Sequence, residues 1–295
     1  MPPAIRGIIS PVLTPIEDGA VVLDAVADSV EFARRCGCHA VVAAGTGVQE
    51  TVALTVAERR ELVTETIAAA GGDLPVLAGV SYPAQHVVED LIAHAETEGA
   101  DALLAIPPWG LDPDDETVLA YYEGIVDATD LSVLLYNNPT VTVNLSRERM
   151  REIARLDGIA YVKETSRNWK KLAWLIEHVD QAGLADVFGT MDVLLATLQA
   201  GGAGAVVPVP ANAPATDIYE AYEAGELATA AERQRTFAHF PPDEATTGLT
   251  AVAKTSAELS GVPVGPARPP YRPVSDAARD AIADWLNREN VPSLD

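Results

Sequence analysis

Three side chains in this sequence are of types that, brought together, would act on a carbonyl group: Lys163, Tyr136 and Thr46. The lysine is the most telling. It follows the apolar run Ile159-Ala160-Tyr161-Val162, and the chain has only four lysines, at 163, 170, 171 and 254. An ammonium there costs free energy unless it is paired or gives up its proton. Desolvation lowers its pKa and frees the lone pair to attack a carbonyl carbon. Such a lysine forms a Schiff base with a ketone, and a neighbouring phenol shuttles protons to and from the oxygen atoms. The plainer alternative is a lysine that leaves its strand and extends to water. The other lysines have ordinary settings. Lys254 lies in a helical run and reads as structural; Lys170-Lys171 lies at a helix start and reads as solvated.

These groups can act together only if the fold delivers them to one place. The dominant pattern is an alternation of short apolar runs with longer amphipathic segments. The runs span 7–13, 40–44, 75–79, 102–106, 132–136, 159–162, 186–189 and 204–209. Each is apolar throughout, as expected of parallel strands buried on both faces. Helices are expected between them, at 24–36, 55–70, 83–98, 114–128, 146–155, 168–179 and 191–200. Thr55-Val56-Ala57-Glu58 has the form of a capping box, and Ser146 that of an N-cap. Eight such alternations predict an α/β fold, a (β/α)8 TIM barrel. An open doubly wound sheet would want a Gly-x-Gly-x-x-Gly turn after the first strand. Ser10-Pro11-Val12-Leu13-Thr14-Pro15 offers none. Three further helical segments, 224–240, 246–259 and 275–288, predict a C-terminal helical extension. The expected division is a catalytic barrel over 1–223 and an extension over 224–295.

Active sites of such barrels lie at the C-terminal ends of the strands. The second strand ends near Thr46, the fifth at Tyr136, the sixth at Lys163 and the seventh at Gly189-Thr190. A hydroxyl, a phenol and an amine therefore share one mouth. No cluster of histidine, cysteine and aspartate with metal spacing joins them, so metal catalysis is not expected.

Composition narrows the classes further. There are 43 acidic and 20 basic residues, a formal net charge of −23. Nucleic-acid binding needs basic patches and is not expected. The acids are dispersed along the chain, which predicts a solvated acidic surface like those of proteins from salt-accumulating cytoplasms. No apolar run reaches the roughly 18 residues of a membrane span. Residues 1–7 lack the features of a signal peptide. Cys36 and Cys38 are too close for an ordinary disulfide and read as two small buried residues. These features fit a cytoplasmic protein.

Several stretches carry a family resemblance. They are Gly45-Thr46-Gly47 to Glu50, then Ala53-Leu54-Thr55; Tyr136-Asn137-Asn138-Pro139; Tyr161-Val162-Lys163-Glu164; and Gly201-Gly202-Ala203-Gly204 leading to Ala211-Asn212. On these the sequence resembles the dihydrodipicolinate synthase / N-acetylneuraminate lyase family, the pyruvate-type class I aldolases, over essentially the whole chain. The resemblance implies that Lys163 is the Schiff-base lysine, Tyr136 the proton-relay phenol and Thr46 the hydroxyl beside it. It implies that Gly45 and Gly47 frame backbone donors for the keto-acid carboxylate, and that Gly189 and Val207 line the pocket. Thr165 is among the hydroxyls available to the rest of the substrate. It implies no cofactor, a small 2-keto acid as the partner, and a homotetramer built as a dimer of dimers, with Trp109 and 107–113 at the tight contact.

The departures point to a substrate. One of the family's two hydroxyls after the second strand is absent, and the register of Val48, Gln49 and Glu50 is open by one position. Where the synthases carry an arginine for the second substrate's carboxylate, this chain reads Pro139-Thr140-Val141-Thr142-Val143. Where they carry a tyrosine pair, it has Trp109, which cannot relay a proton as a phenol does. The expected activity is therefore a class I aldolase cleaving a 2-keto-3-deoxy sugar acid, such as 2-keto-3-deoxygluconate, to pyruvate and an aldehyde. A dehydratase on the same scaffold is the alternative. Dihydrodipicolinate synthase, N-acetylneuraminate lyase and a non-catalytic keto-acid binder stand behind these.

Overall fold

The computed structural model describes residues 5–45, 47–110, 112–240 and 248–294. Eight parallel strands close into a barrel. They are β1 (Gly7–Pro11), β2 (Ala40–Ala43), β3 (Val76–Gly79), β4 (Ala102–Ala105), β5 (Ser132–Asn137), β6 (Ile159–Glu164), β7 (Asp186–Gly189) and β8 (Gly204–Val206). Each pairs with its neighbours in order, and β8 closes on β1. Helices α1 (Val26–Arg35), α2 (Val56–Ala70), α3 (Gln85–Glu98), α4 (Asp115–Val126), α5 (Arg147–Ile153), α6 (Trp169–Leu175) and α7 (Leu194–Gln199) cover the outside, one after each of the first seven strands. This is the (β/α)8 barrel expected from the alternation.

Local signals set several of the boundaries. Thr55 and Glu58 form the reciprocal capping box at the start of α2. Asp114 and Ser146 cap α4 and α5 through Thr117 and Arg149 N–H groups. Most strands lie within a residue of their expected extents; β1, β6 and β8 differ by two or three, with β1 ending at Pro11. β6 runs on to Glu164, because its last residues stay paired with Tyr136 and Asn137 of β5. β8 stops at Val206, since Pro208 and Pro210 lack a ladder N–H and the chain turns at Val209–Ala211.

The strands alternate between two apolar cores, as a period of two requires. Ile9, Val42, Leu77, Leu104, Leu134, Tyr161 and Phe188 fill the barrel interior. Val41, Leu103, Val133, Leu135, Val162 and Val187 face the helices. Burying each large aliphatic contributes about 1.5–3 kcal/mol. Tyr161 and Phe188 meet edge to face at 6.2 Å within the barrel interior. Cys36 and Cys38 are buried and free, and burial pushes the Cys36 thiol up to about 12.

After β8 come α8 (Asn212–Glu223), α9 (Leu227–Gln234), α10 (Leu249–Leu259) and α11 (Asp276–Arg288). α10 packs on the turns Gly47–Gln49 and Val209–Ala211, so it stands at the barrel mouth. No described helix is long and apolar enough to cross a membrane.

Candidate active site

Tyr136 and Lys163 are direct partners in the β5–β6 register. Both follow inward-facing residues by two positions, Leu134 and Tyr161, so both point into the barrel. The lysine Nζ lies 4.1 Å from the centroid of the phenol ring. Each residue is 5% exposed. Desolvation pulls the Lys163 amine down to about 7. Among the described residues no carboxylate pairs with it to restore the charge. Burial acts oppositely on Tyr136, pushing its phenol up to about 12. At neutral pH a substantial share of the amine is thus free beside an intact phenol, which suits attack on a ketone followed by proton transfer.

The phenol belongs to a chain of donors and acceptors. Asn138 Nδ2 donates to its oxygen at 2.9 Å. Thr165 bonds to it as well. Thr165 Oγ1 also donates to the Asn137 carbonyl at 2.6 Å. Thr165 therefore stands beside the phenol as well as on the cavity lining.

A cavity of about 670 Å³ opens above the pair. Gly47 and Val48 form one side, Val206 and Val207 another. Thr140, Ser166 and Thr190 supply hydroxyls further out. Gly45 and Gly189 are not among the lining residues. A Cβ on Gly45 would meet Val42 Cγ1 at 2.8 Å, and one on Gly189 would meet Thr197 Oγ1 at 2.6 Å. Both glycines serve close packing around the chamber; Gly79 does so too, for its Cβ would lie 2.2 Å from the Gly45 Cα. Thr46 lies outside the described residues.

The loop after β2 is held from both sides. Gln49, fully buried, accepts from Gly45 N–H at 3.0 Å and donates to the Val12 and Val42 carbonyls at 2.6 Å each. Glu50 turns the other way. Its carboxylate lies 2.7 Å from Lys254 Nζ on α10 and accepts the Arg268 N–H at 2.6 Å. Only Val48 of the three residues with open register reaches the cavity. Glu50 adopts a left-handed φ of 58°, as do Ala44 at 49° and Arg167 at 58°. Non-glycine residues hold such conformations only where surrounding contacts over-determine them.

Some cavity residues had little local signal. Arg167, side chain 73% exposed and 3.5 Å from Asp192, sits on the lining. So do Leu249 and Thr250 of α10, which arrive from the far end of the chain. Trp109 is absent from the lining. It packs edge to face on Tyr82 at 5.8 Å. One expectation is overturned: Lys171 is not solvated but buried, 2.7 Å from Glu164. Lys171 lies one turn into α6, on the side that faces β6, where Glu164 points outward.

A model of the dihydrodipicolinate synthetase family matches residues 4–289. The chain belongs to that family. It is 30% identical over 287 residues to a 4-hydroxy-tetrahydrodipicolinate synthase of Anaeromyxobacter dehalogenans, covering 96% of this chain and 97% of the relative. It is 32% identical over 286 residues to an uncharacterised DapA-like lyase of Halobacterium salinarum, covering 95% and 93%. Its backbone superposes with a TM-score of 0.90, at 25% identity, on YagE, a prophage protein of the dihydrodipicolinic acid synthase family from E. coli K12 in complex with pyruvate, covering 97% and 99%. Members of the dihydrodipicolinate synthetase family are carbon–carbon lyases of the class I aldolase type, and this protein is an enzyme of that type.

Proposed function

We propose that the enzyme is a Schiff-base aldolase that cleaves a 2-keto-3-deoxy sugar acid, such as 2-keto-3-deoxygluconate, to pyruvate and an aldehyde. The observation that carries this reading is the buried, desolvated Lys163 amine 4.1 Å from the Tyr136 ring, under a cavity whose outer wall bears hydroxyls. Lys163 adds to the C2 ketone and loses water to give the iminium. Tyr136 gives its proton to the departing water, then as phenolate takes the C4 hydroxyl proton while the C3–C4 electrons move into the iminium, and passes that proton to C3 of the resulting enamine. The aldehyde leaves and pyruvate is freed by hydrolysis. The backbone at Gly47 holds the carboxylate, opposite Val207. Thr140, Ser166 and Thr190 meet the polyol half.

Borohydride reduction with pyruvate, read by intact mass and peptide mapping, tests the mechanism. An adduct on Lys163 supports it; no adduct, or one on another lysine, refutes it. Pyruvate release from 2-keto-3-deoxygluconate supports the aldolase. A 2-keto semialdehyde product would instead favour dehydration on the same iminium. Tyr136→Phe separates the steps: cleavage is expected to fall about 10²–10⁴-fold, while slow borohydride capture of pyruvate persists. Equal loss of both activities would remove Tyr136 from the cleavage step.

A second reading, condensation of pyruvate with aspartate semialdehyde, is favoured by one observation. No cation follows the tyrosine–proline motif, but Arg167 brings one to the lining from the next loop, partly neutralised by Asp192. Consumption of aspartate semialdehyde in the presence of pyruvate, with no cleavage of the sugar acid, would select it.

We further assign residues 1–223 to the catalytic barrel and 224–295 to the helical extension, which lends Leu249 and Thr250 to the cavity wall. A homotetramer joined at Trp109 and 107–113 and a saline cytoplasm complete the reading. The net charge of −23 supports the latter. The unfolding midpoint is expected to rise between dilute and molar KCl, as self-repulsion is screened. A midpoint that stays flat or falls would remove the saline habitat.

A further inference from the structure

Strand alternation gives each reactive residue a neighbour that points the opposite way. Tyr136 is followed by Asn137 and Lys163 by Glu164, and these neighbours are themselves register partners. They meet on the outer face of the barrel, beneath α6. Asn137 is fully buried and Glu164 is 2% exposed. Asn137 Nδ2 donates to both Glu164 oxygens, at 3.0 and 3.3 Å. Lys171 Nζ stands 2.7 Å from Glu164 Oε2 and donates to Asn144 Oδ1 at 3.1 Å and the Leu145 carbonyl at 2.6 Å. Asn137 Oδ1 accepts the Leu145 N–H at 2.9 Å. Glu164 Oε1 also accepts the Ser166 N–H, which bends the chain toward Arg167 and its left-handed turn.

A carboxylate, an ammonium and an amide are thus packed into apolar surroundings with most of their hydrogen-bonding capacity used. Such networks have few alternative arrangements, because each lost contact leaves a buried polar group unpaired. Their geometry is transmitted directly, since Asn137 and Glu164 are covalent neighbours of the reactive pair. A slip of one strand along the other would break the contacts outside and separate phenol from amine inside.

We propose that Glu164, Asn137 and Lys171 are positioning residues that set the alignment of Tyr136 with Lys163, and the course of the Thr165–Arg167 loop, from the outer face of the barrel. The proposal rests on the Schiff-base reading of Lys163 for its kinetic readout only. It assigns the Lys163–Glu164 dipeptide two jobs, one on each face of the strand. It also explains why a buried lysine sits at position 171 of so lysine-poor a chain.

The test compares the parent with Glu164→Gln, Lys171→Met and the double variant that carries both. Each single change leaves one buried charge without its partner, and stability falls. The double variant leaves none and regains most of that stability, yet still lacks the ion pair that ties α6 to β6. Pyruvate capture per folded molecule is expected to be about ten- to a hundredfold slower in all three, with the midpoint of its pH profile displaced. A double variant of near-parental stability with the parental capture rate and midpoint would overturn the proposal. If a single variant fails to fold, the double variant decides. Crystal structures give the readout that needs no chemistry. The Lys163 Nζ to Tyr136 ring distance of 4.1 Å is expected to change in the double variant, and its retention would also overturn the proposal. Should the parent not be captured on Lys163, the Schiff-base reading falls, and the alignment is decided by that distance alone.

Discussion

Replacing Lys163 with methionine is expected to abolish covalent capture of pyruvate and, at the same time, to stabilise the fold. Both effects come from one cause. Burial moves the amine from its ordinary 10.5 to about 7. For a cationic group that is a depressed folded-state pKa, so the folded chain binds fewer protons than the unfolded chain between about 7 and 10.5. Folding against that preference costs roughly 4–5 kcal/mol near neutral pH. Methionine has a similar volume and no charge to desolvate, and relaxation around the site absorbs part of the difference. The variant is expected to gain roughly 1–4 kcal/mol at pH 7, the usual trade between stability and a strained active site. The sign fixes the pH dependence. The parent regains stability as pH rises through the window, so the gap between variant and parent narrows toward pH 10. Denaturant unfolding of both proteins at pH 7 and pH 10 checks this. A variant no more stable than the parent at pH 7 would contradict the desolvation. The parent's capture rate follows the free amine. It is expected to rise nearly tenfold per pH unit below pH 7 and to level off above, when measured by quenched borohydride reduction.

The second large effect lies 204 residues along the chain from the loop it touches, at Lys254. Its side chain is 2% exposed and that of Glu50 is 1% exposed, with 2.7 Å between charges. Breaking one side of such a pair leaves a buried charge uncompensated and costs about 3–5 kcal/mol. Lys254→Met is therefore expected to destabilise the enzyme by that amount in chemical unfolding. The Arg268 N–H would be the principal remaining partner of Glu50. Glu50→Gln combined with Lys254→Met removes both charges, and most of the loss should be recovered. A functional consequence follows from where Glu50 sits. It holds a left-handed turn two residues after Val48 of the cavity wall, and Gly47 is tied to α10 by Thr250 Oγ1 at 3.4 Å. Loosening that turn is expected to raise KM for the keto acid several-fold. The pH midpoint of capture should stay put, because Lys163 stands on a different strand. A shifted midpoint with unchanged KM would show that the clamp acts on the amine and not on the loop.

The two lysines show how differently one residue type reads in one chain. Lys163 has no carboxylate partner among the described residues and is neutralised by its surroundings; Lys254 also loses solvent, which pulls its pKa down, but Glu50 opposes that fall. Neither distinction is visible in the residues that flank them. Both follow apolar runs. A buried charge is defined by what the rest of the fold brings to it.

Much of the architecture is nevertheless local. Eight apolar runs separated by amphipathic segments were enough to specify the barrel, because parallel strands buried on both faces need continuous apolar sequence. Thr55, Glu58 and Ser146 mark helix starts through bonds that span three residues. Tyr136 and Lys163 were legible as a pair because both end strands, and barrel strands of neighbouring order lie side by side. The period of two also carried the inward direction of both side chains, once Tyr161 and Leu134 were assigned to the interior.

What the sequence left open concerns contacts between distant segments. Glu164 could have faced either way until β6 was seen to extend through it, paired with Asn137. Lys171 looked solvated because a helix start is usually exposed; the packing of α6 over β6 buries it against Glu164. The loop from Gly45 to Glu50 gave no register by itself, since Gln49 and Glu50 are sorted by partners just after β1, on β2 and on α10. Arg167 and Thr250 join one cavity from loops and helices far apart in the chain. Local periodicity is written into neighbouring residues and survives without a fold. The partner of a buried charge, and the wall opposite a nucleophile, exist only once the barrel has closed.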